Sequence, residues 1–354
     1  MKLRTFSSIE QFRHVVADVT HTAEYIGQDA NNEPRYDHSR RKPVLTFRGT
    51  VKLHGSNCGV AFDLLSGVVA AQSKERFLTV ADDNFGFCAW VESPEGAADL
   101  AQLRQLMLVA ATARVDQPII ACRAFGEWCG PKVNGKTAIG QLPLRWVLIG
   151  LLVTGADGSE TWLSVERVAA DWAALRGGAP SLIHFITDYP QFTIDIDFND
   201  PEASLEELER LTLEVETECP VAKALGGEGI GEGIVWTCND LRYGRHTFKT
   251  KGSKHKGTKN SRLVQIAPEV LASMEAFTDA VLTESRLEQG FDLIRGDHGK
   301  VTADHMGLFL KWVGQDVLKE ESDTLAASGL ERKQVMGRIN HRAKSWLLPR
   351  LARV

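Results

Sequence analysis

The chain has 354 residues, and its 41 Lys and Arg against 46 Asp and Glu give a formal net charge of −5. Hydrophobic residues make up 43% and charged residues 25%, the balance of an ordinary globular protein, which excludes disordered, collagen-like and histone-like chains. The longest apolar run, Trp146–Val153, is far shorter than the roughly 20 residues of a membrane helix. Residues 1–10 carry no secretory signal, so we expect a cytoplasmic protein of about two domains.

Residues 44 to about 260 are rich in strand signals, namely alternating apolar residues, β-branched residues and short apolar runs. The predicted strands, in chain order, are Val44–Lys52, Cys58–Leu65, Val68–Ser73, Pro118–Phe125, Leu144–Thr154, Glu160–Leu163, Gly233–Cys238 and His246–Lys251. A hairpin turn is predicted at Ser66–Gly67. Helical spacing predicts helices over Ala97–Arg114, Val165–Leu175 and Leu205–Thr217.

From Ala267 onward the strand pattern ends and apolar residues recur at helical spacing, which favours helices with core-facing stripes. The stripes are Val270, Met274, Phe277 and Val281, then Met306, Phe309, Val313 and Val317, then Val335, Ile339 and Trp346. Gly, Ser, Asn and Lys cluster within Lys254–Ile266. We therefore predict one domain over residues 1–260 and a helical domain over residues 261–354.

Charge is distributed unevenly along the chain. Asp195–Glu218 holds ten acidic residues and one basic residue, and its apolar spacing indicates a solvated surface helix. Leu241–Arg262 holds eight basic and no acidic residues, and Glu331–Arg353 holds seven basic residues and one acidic residue. These two basic segments could meet phosphates.

The cysteines lack any C-x-x-C pair, which predicts reduced thiols rather than disulfides or a structural zinc site. They are Cys58, Cys88, Cys122, Cys129, Cys219 and Cys238.

Two polar motifs in the first half of the chain follow predicted strands. Lys52 is followed by a polar turn that contains His54, Gly55 and Asn57. A lysine at a strand end is usually a solvated surface residue, but lysine is also one of the few side chains that form covalent intermediates. Glu127, in a Phe-Gly-Glu sequence, lies between bulky apolar neighbours, and a strand-end glutamate that faces solvent is the alternative.

Two further motifs lie near residue 240. Glu232 stands at a strand entrance between glycines, which allow a ligand to approach the backbone closely. Lys249 and Lys251 are two residues apart on a strand, so they share a face. Like charges side by side repel each other unless an anion lies between them, and a polyphosphate would serve.

In this order, K-x-x-G, F-G-E, E-G-I-V and K-x-K resemble the motifs of the covalent nucleotidyltransferase superfamily of ATP-dependent ligases and capping enzymes. His54 followed by Asn57 resembles the RNA ligase 2 branch, since DNA ligases and capping enzymes more often have Asp at the place of His54. The resemblance covers residues 44 to about 260. It implies an α+β fold, with an antiparallel-sheet nucleotidyltransferase core of the ATP-grasp-like ligase kind and a C-terminal all-helical domain.

The resemblance also implies the reaction and its cofactors. Lys52 would attack the α-phosphorus of ATP and form lysyl-AMP, and AMP would pass to a 5′-phosphorylated RNA end. A 3′-hydroxyl would then displace AMP and seal the strand. The lysine has to lose its proton before it attacks, and neighbouring lysines and a divalent cation disfavour the ammonium form.

Individual residues receive roles from the same resemblance. Glu127 would hold the ribose hydroxyls, and Glu232, with Glu127, would offer oxygen ligands to Mg²⁺ or Mn²⁺. The implied nucleotide contacts are Lys52, His54, Gly55, Lys74, Glu127, Glu232, Lys249 and Lys251, although Arg76 matches the place of Lys74 equally well. Asn57 would position the RNA 5′-phosphate. Apart from the resemblance, the basic segment after K-x-K predicts phosphodiester contacts for Lys254, Lys256 and Lys259.

The chain departs from the family pattern in two places. Ile149 is the nearest equivalent of the aromatic residue that often stacks on adenine, so stacking would come from elsewhere or be replaced by apolar contact. Thr50 and Val51 precede the lysine where some relatives carry charged side chains. Both departures concern nucleotide selectivity rather than the chemistry of the lysine.

Two alternatives remain at this stage. A DNA ligase or a capping guanylyltransferase would be favoured by use of GTP or by a C-terminal β-barrel, and a non-catalytic RNA-binding protein would not need Lys52. The RNA substrate is open among a nicked duplex, a broken tRNA and single-stranded ends. We expect a monomer, and the resemblance suggests a phage-encoded protein that acts in the host cytoplasm. The last basic helix either extends the RNA footprint or is a solvated surface, with Arg332, Arg338, Arg342 and Lys344 as its basic residues.

Overall fold

The computed structural model describes residues 2–6, 9–133, 135–252, 274–298 and 301–351. Their strands are β1 (Tyr25–Gln28), β2 (Pro34–Tyr36), β3 (Val44–Lys52), β4 (Ser56–Asp63), β5 (Val69–Ser73), β6 (Ile119–Cys129), β7 (Arg145–Gly155), β8 (Glu160–Leu163), β9 (Ile183–Phe185), β10 (Gln191–Asp197), β11 (Gly233–Asp240) and β12 (Gly244–Lys251). Their helices are α1 (Phe12–Glu24), α2 (Phe87–Glu92), α3 (Pro94–Thr112), α4 (Val165–Arg176), α5 (Leu205–Thr217), α6 (Pro220–Ala224), α7 (Met274–Val281), α8 (Glu284–His298), α9 (Met306–Ser328) and α10 (Arg332–Leu351).

The chain forms two compact units, each assembled from separate segments. The first comprises Met1–Ser8, Thr50–Phe192 and Thr217–Glu232, and the second comprises Ile9–Gly49, Thr193–Glu216 and Gly233–Val354. Strand β3 therefore begins in the second unit and ends in the first, with Lys52 as its last residue. The proposed domains, 1–260 and 261–354, stay a prediction.

The first unit is built on a six-stranded sheet. Its strand order is β5-β4-β6-β7-β8, and β9 pairs with β7. All neighbours are antiparallel except β7 and β9. The central strands β6 and β7 are buried along most of their length, as their apolar runs predict. The predicted hairpin between β4 and β5 is confirmed, and Gly67 provides its positive φ of 75°.

One face of this sheet carries the core of the unit. Trp128 and Trp146 are almost fully buried and lie 5.4 and 5.3 Å from the ring of Phe87, between ring centroids. Helices α2, α3 and α4 contribute to this core. On the other face, Phe6 of the N-terminal segment lies 5.6 Å from both Phe125 and Trp162. Phe6 thus covers the part of this second face that surrounds Phe125 and Trp162.

The second unit is built on a four-stranded sheet with the order β10-β3-β11-β12. Strands β11 and β12 pair antiparallel, which places Trp236 opposite Phe248. Helix α1 packs on this sheet through Phe12, whose ring lies 4.9 Å from that of Phe248. Two main-chain hydrogen bonds attach Glu10 to β12. The N–H of Glu10 donates to the carbonyl oxygen of Thr247, and its own carbonyl oxygen accepts from the N–H of Lys249.

The helices α7 to α10 enclose an apolar core of their own, as the helical stripes predict, except that Met274, at the first position of α7, is exposed rather than part of the core. Its most buried members include Phe277, Phe309, Val313, Val335 and Ile339. Residues 274–298 and 301–351 contain no strand. Helix α9 is interrupted at Glu321, whose φ of −127° and ψ of 17° are not helical. Val270 and the predicted boundary segment Lys254–Ile266 lie outside the described residues.

The expected fold class, an α+β fold with antiparallel sheets and a helical C-terminal region, is confirmed. The six cysteines are buried free thiols, as expected. Burial raises the pKa of Cys58 and of Cys122 to about 12, and that of Cys129 well above its ordinary value. None of the helices in the described part of the chain has the length and apolar character of a membrane span.

A buried hydroxyl fixes the strand that carries the two lysines of K-x-K. Thr250 Oγ1 lies 3.1 Å from the indole nitrogen of Trp236, which donates to it, and 2.6 Å from the hydroxyl of Thr212. We expect Thr250→Val to lower the free energy of unfolding by about 1–3 kcal/mol, because it removes a hydrogen-bond acceptor from the core without changing its volume. Chemical denaturation would measure this loss.

Thr247→Val is the matched control, because Thr247 is only partly buried and its hydroxyl lies 3.5 Å from that of Thr237. We expect a change below about 0.5 kcal/mol for this variant. Equal losses in the two variants would contradict the role assigned to Thr250.

Candidate functional site

An ion pair between Lys52 and Glu232 lies at the ends of two neighbouring strands. Lys52 ends β3, and Glu232 directly precedes β11, as the sequence predicts. The Nζ of Lys52 donates to Oε2 of Glu232 over 2.6 Å, and the two side chains are 20% and 3% exposed. A Cβ on the next residue, Gly233, would lie 2.0 Å from the carbonyl oxygen of Thr250, so only glycine allows this approach of the backbone. A nearly buried carboxylate is thereby held against the amine.

His54 shares the same carboxylate oxygen. Its Nδ1 lies 3.1 Å from Oε2 of Glu232, and its imidazole is 19% exposed. Glu232 thus accepts hydrogen bonds from the last residue of β3, Lys52, and from His54 in the turn that follows. The carboxylate fixes the orientation of both side chains relative to each other.

Gly55 connects this turn to the end of β6. Its backbone N–H donates to Oε1 of Glu127 over 3.0 Å. A Cβ at Gly55 would lie 2.3 Å from the carbonyl oxygen of Trp128, so glycine is required for this close approach. Burial raises the pKa of Glu127, while the charge of Lys52 and the hydrogen bond from Gly55 act in the opposite direction. Lys52, His54, Gly55, Glu127 and Glu232 are therefore brought together within the first unit.

A row of side chains runs across this sheet from Glu127. The strand register places Asn57 opposite Glu127, Glu127 opposite Val147, and Val147 opposite His184. Register partners point to the same face of a sheet, so all four belong to the face that carries Glu127. The predicted RNA-contacting residue Asn57 thus neighbours the predicted ribose-binding residue Glu127.

His184 in this row was not found from the sequence. Its Nδ1 lies 2.8 Å from the hydroxyl of Tyr189, and burial, with the charge of Arg145, lowers its pKa to about 4. It is therefore neutral at pH 7. It belongs to a strand of three residues with no motif around it, and only the pairing of β9 with β7 reveals its position.

Ile149 lies at a bulge of β7. The register jumps from Phe125 opposite Gly150 to Gly126 opposite Leu148, so Ile149 is the extra residue. Its side chain is partly exposed. An apolar contact with a nucleotide base stays a prediction for this residue.

The basic residues after β5 lie at the surface. Lys74 is exposed, and Arg76 is held by two hydrogen bonds of 2.7 and 2.8 Å to the carboxylate of Asp82. The choice between them as the phosphate contact stays open.

Lys249 and Lys251 belong to the second unit, at the end of β12. Both are partly buried, whereas Phe248 before them and Thr250 between them are buried, which confirms that the two lysines share a face. Lys249 Nζ donates to Oε1 of Glu320 over 2.8 Å. Their role as phosphate contacts stays a prediction.

The remaining basic candidates differ in their surroundings. Lys254, Lys256 and Lys259 lie outside the described residues. On α10, Arg338 pairs with Glu275, and Arg342 pairs with Glu275 and Asp279. Arg332 and Lys344 are exposed. Part of the charge of this helix is thus compensated by α7.

The described residues contain no group of three or more His, Cys, Asp or Glu side chains that could by itself hold a metal ion. Glu232 and Glu127 nevertheless offer hard oxygen ligands, of which Glu232 already accepts from a cationic amine. Mg²⁺ in phosphate-transferring sites is commonly bound by one or two carboxylates together with waters and substrate phosphates. The pair of carboxylates therefore fits a divalent cation that arrives with a nucleotide.

The sequence model of one protein family, RNA ligase, matches residues 45–251, which is more than half of the chain. Among solved structures, a mutant of a Naegleria gruberi RNA ligase with AMP and Mn is 12% identical, with a TM-score of 0.39 over 71% of this chain and 56% of that chain. The Naegleria gruberi RNA ligase with PPi is 14% identical, with a TM-score of 0.37 over 71% and 56%. The chain thus spans little more than half the length of these relatives. No curated protein matches the chain.

The raised pKa of Glu127 leads to a prediction about stability. The folded protein binds a proton on Glu127 more tightly than the unfolded chain does, so the contribution of this group to stability falls as pH rises above the ordinary pKa of Glu, about 4.3. Glu127→Gln removes the ionisation and keeps an oxygen that can accept from Gly55. We expect this variant to melt at or above the wild-type temperature at pH 7, with the difference shrinking toward pH 4. Calorimetry at several pH values would measure it, and a deficit that grows with pH would contradict the assignment.

Proposed function

The chain belongs to the RNA ligase family, and we propose that it is an ATP-dependent RNA ligase that joins 5′-phosphate and 3′-hydroxyl ends through a lysyl-AMP intermediate. The observation that carries this proposal is the amine of Lys52, which lies 2.6 Å from a nearly buried glutamate and three residues before Gly55, whose N–H donates to Glu127. The sequence motifs and the arrangement in the first unit agree on the same residues.

In the proposed reaction, the neutral amine of Lys52 attacks the α-phosphorus of ATP. A nitrogen–phosphorus bond forms and the nitrogen loses a proton to solvent, while the bond from the α-phosphorus to the bridging oxygen breaks and pyrophosphate leaves with the electron pair. The 5′-phosphate oxygen of RNA then attacks the same phosphorus and releases Lys52, which gives an RNA end capped by AMP through a pyrophosphate linkage. A 3′-hydroxyl finally attacks the RNA phosphate, loses its proton and displaces AMP.

The chain's own residues have to position these groups, because phosphoryl transfer depends mainly on alignment and on stabilisation of charge. Glu127 is placed to accept hydrogen bonds from ribose hydroxyls, and its orientation is fixed by the N–H of Gly55. Asn57, opposite Glu127 in the sheet, is on the side proposed for the RNA 5′-phosphate. Lys249 and Lys251 are proposed to contact the phosphates.

A divalent cation, Mg²⁺ or Mn²⁺, would neutralise charge on the phosphates when bound. Glu232 and Glu127 are the residues that would hold it. Glu232 accepts a hydrogen bond from Nζ of Lys52, so the carboxylate has to exchange Lys52 for another positive partner before the amine is free to attack. Glu232 is therefore proposed to orient Lys52 in the resting protein and to turn to the cation when the nucleotide is bound.

The alternatives within the superfamily are less well supported. Residues 274–298 and 301–351 are without strands, so the described C-terminal region is not the β-barrel that would favour a DNA ligase or a capping enzyme. We also propose that the protein is monomeric and acts inside the cell. The choice of RNA substrate stays open among a nicked duplex, a broken tRNA and single-stranded ends.

Labelling with nucleotide tests the proposal directly. With α-labelled ATP and Mg²⁺, we expect the wild type to acquire one AMP, seen on a denaturing gel and by intact mass. We expect Lys52→Arg to acquire none, because the guanidinium keeps a positive partner for Glu232 but is not a nucleophile at neutral pH. Lys52→Ala should also acquire none.

Lys223→Arg is the matched control, since Lys223 is an exposed lysine of the same unit, paired with Glu218. It should label like the wild type. A GMP adduct instead of an AMP adduct would move the function to capping chemistry. Absence of any adduct on folded, adenylate-free wild type would refute the enzyme and favour an RNA-binding role.

Glu232→Gln tests the second carboxylate. We expect lysyl-AMP formation to slow by about 10- to 100-fold and to need a higher Mg²⁺ concentration for half-maximal rate, because an amide is a weaker ligand for a hard cation than a carboxylate. Rates measured across a Mg²⁺ titration would show both effects. The control Glu218→Gln removes an exposed carboxylate of the same unit and should leave the titration unchanged. A Glu232→Gln rate loss with no change in Mg²⁺ dependence would argue against a ligand role.

A further inference from the structure

An acidic side chain of the C-terminal helices forms an ion pair with Lys249, the first lysine of the K-x-K motif. Glu320, on α9, accepts a hydrogen bond of 2.8 Å from Nζ of Lys249. The side chains are 16% and 17% exposed, so the pair is largely withdrawn from solvent. Both residues belong to the second unit, although 71 positions separate them.

Glu320 is held in place by more than this one contact. The amide of Gln11 donates to its main-chain oxygen over 2.6 Å and to its carboxylate over 3.3 Å, and Arg13 donates to the same main-chain oxygen over 2.9 Å. These donors meet α9 where its helical backbone is interrupted at Glu321. Glu321 itself is 3% exposed and lies 3.4 Å from Arg286 and 3.6 Å from Arg13. These contacts fix the interrupted segment of α9 and hold Glu320 against β12.

Positively charged and hydrogen-bond-donating side chains surround the carboxylate of Glu320, as they would surround a bound phosphate. Burial alone raises the pKa of Glu320, but the ion pair with Lys249, the charge of Lys251 and the hydrogen bond from Gln11 lower it to about 2. Glu320 is therefore a carboxylate throughout the neutral range. Two lysines on one strand face call for an anion, and the carboxylate of Glu320 supplies one to Lys249. Carboxylate and phosphate oxygens accept charge-assisted hydrogen bonds from lysine in the same way.

We propose that Glu320 occupies the place of a nucleotide phosphate on Lys249, and that ATP has to displace it in order to bind. This inference rests on the proposed function, in which Lys249 contacts the phosphates. Glu320 is then an internal competitor that lowers the apparent affinity for ATP and ties the position of α9 to nucleotide occupancy. When Lys249 is released to a phosphate, α9 loses one of the contacts that hold it on β12.

The competition has a measurable size. The apparent affinity of a ligand falls by the fraction of protein that is free to bind it. Glu320→Gln replaces a charge-assisted hydrogen bond to Lys249 by a weaker neutral one, and the partial exposure of the pair already weakens its ionic part. We therefore expect Glu320→Gln to tighten ATP binding by about threefold to tenfold.

Binding is best measured in a Lys52→Arg background, in which the proposed adduct cannot form. Titration calorimetry would compare this protein with and without Glu320→Gln, using ATP and, separately, adenosine. ATP should bind more tightly in the Glu320→Gln protein, whereas adenosine, which has no phosphates, should bind both proteins equally. Gln11→Ala, which loosens Glu320 and keeps its carboxylate, should shift ATP binding in the same direction by a smaller factor.

Glu275→Gln is the matched control, because it removes an exposed carboxylate of the same unit that pairs with Arg338. It should leave both affinities unchanged. Thermal unfolding of every variant would show that the proteins compared are folded, and Gln11→Ala supplies the comparison if Glu320→Gln unfolds.

Two outcomes would overturn the inference. If the wild type forms lysyl-AMP but Glu320→Gln binds ATP equally or more weakly, Glu320 positions Lys249 or is only structural, and the proposed function stands. If the wild type neither binds ATP nor forms an adduct, the proposed function fails and this inference fails with it.

Discussion

The nearly buried carboxylate of Glu232 needs positively charged or hydrogen-bonding partners, and the structure around it is arranged to provide them. A nearly buried carboxylate is costly unless positive or hydrogen-bonding groups surround it. Here the end of β3 and the following turn deliver Lys52 and His54 to a single oxygen atom. Gly233 behind the glutamate and Gly55 in the turn permit backbone approaches that any side chain would block. The conformation of the turn after β3 therefore depends on the charge of Glu232. In the proposed reaction, Glu232 can release the amine of Lys52 only when another cation replaces it.

Much of this arrangement could be predicted from local sequence. Lys52, Glu127 and Glu232 stand at ends of strands whose apolar runs are clear, so both the strands and the residues at their ends were predicted. The shared face of Lys249 and Lys251 follows from the period of two residues in a strand. The helices after residue 274 follow from apolar stripes that recur at helical spacing.

What could not be predicted depends on long-range pairing. Helix α1 and the hairpin β1–β2 lie in a polar segment with few apolar runs, and they were not assigned. His184 joins the row of Glu127 only through the register of a three-residue strand. Glu320 meets Lys249 across 71 residues, and no local pattern of α9 marks it as the partner of a strand lysine. In each case the missing information is a contact that exists only after the chain has folded.

The buried cysteines have a consequence for solution studies of this protein. A thiol reacts with alkylating reagents as the thiolate, and burial both raises the pKa of Cys58, Cys122 and Cys129 and shields them from reagent. Modification therefore requires local opening of the sheet, and its rate reports how often that opening occurs. Cys129 lies on the strand of Glu127 and Cys58 on the neighbouring strand β4, whereas Cys238 lies on β11 of the second unit. The chain thus carries native chemical probes in both units, and mapping which thiol reacts first would rank the local stability of the two sheets without any engineered label.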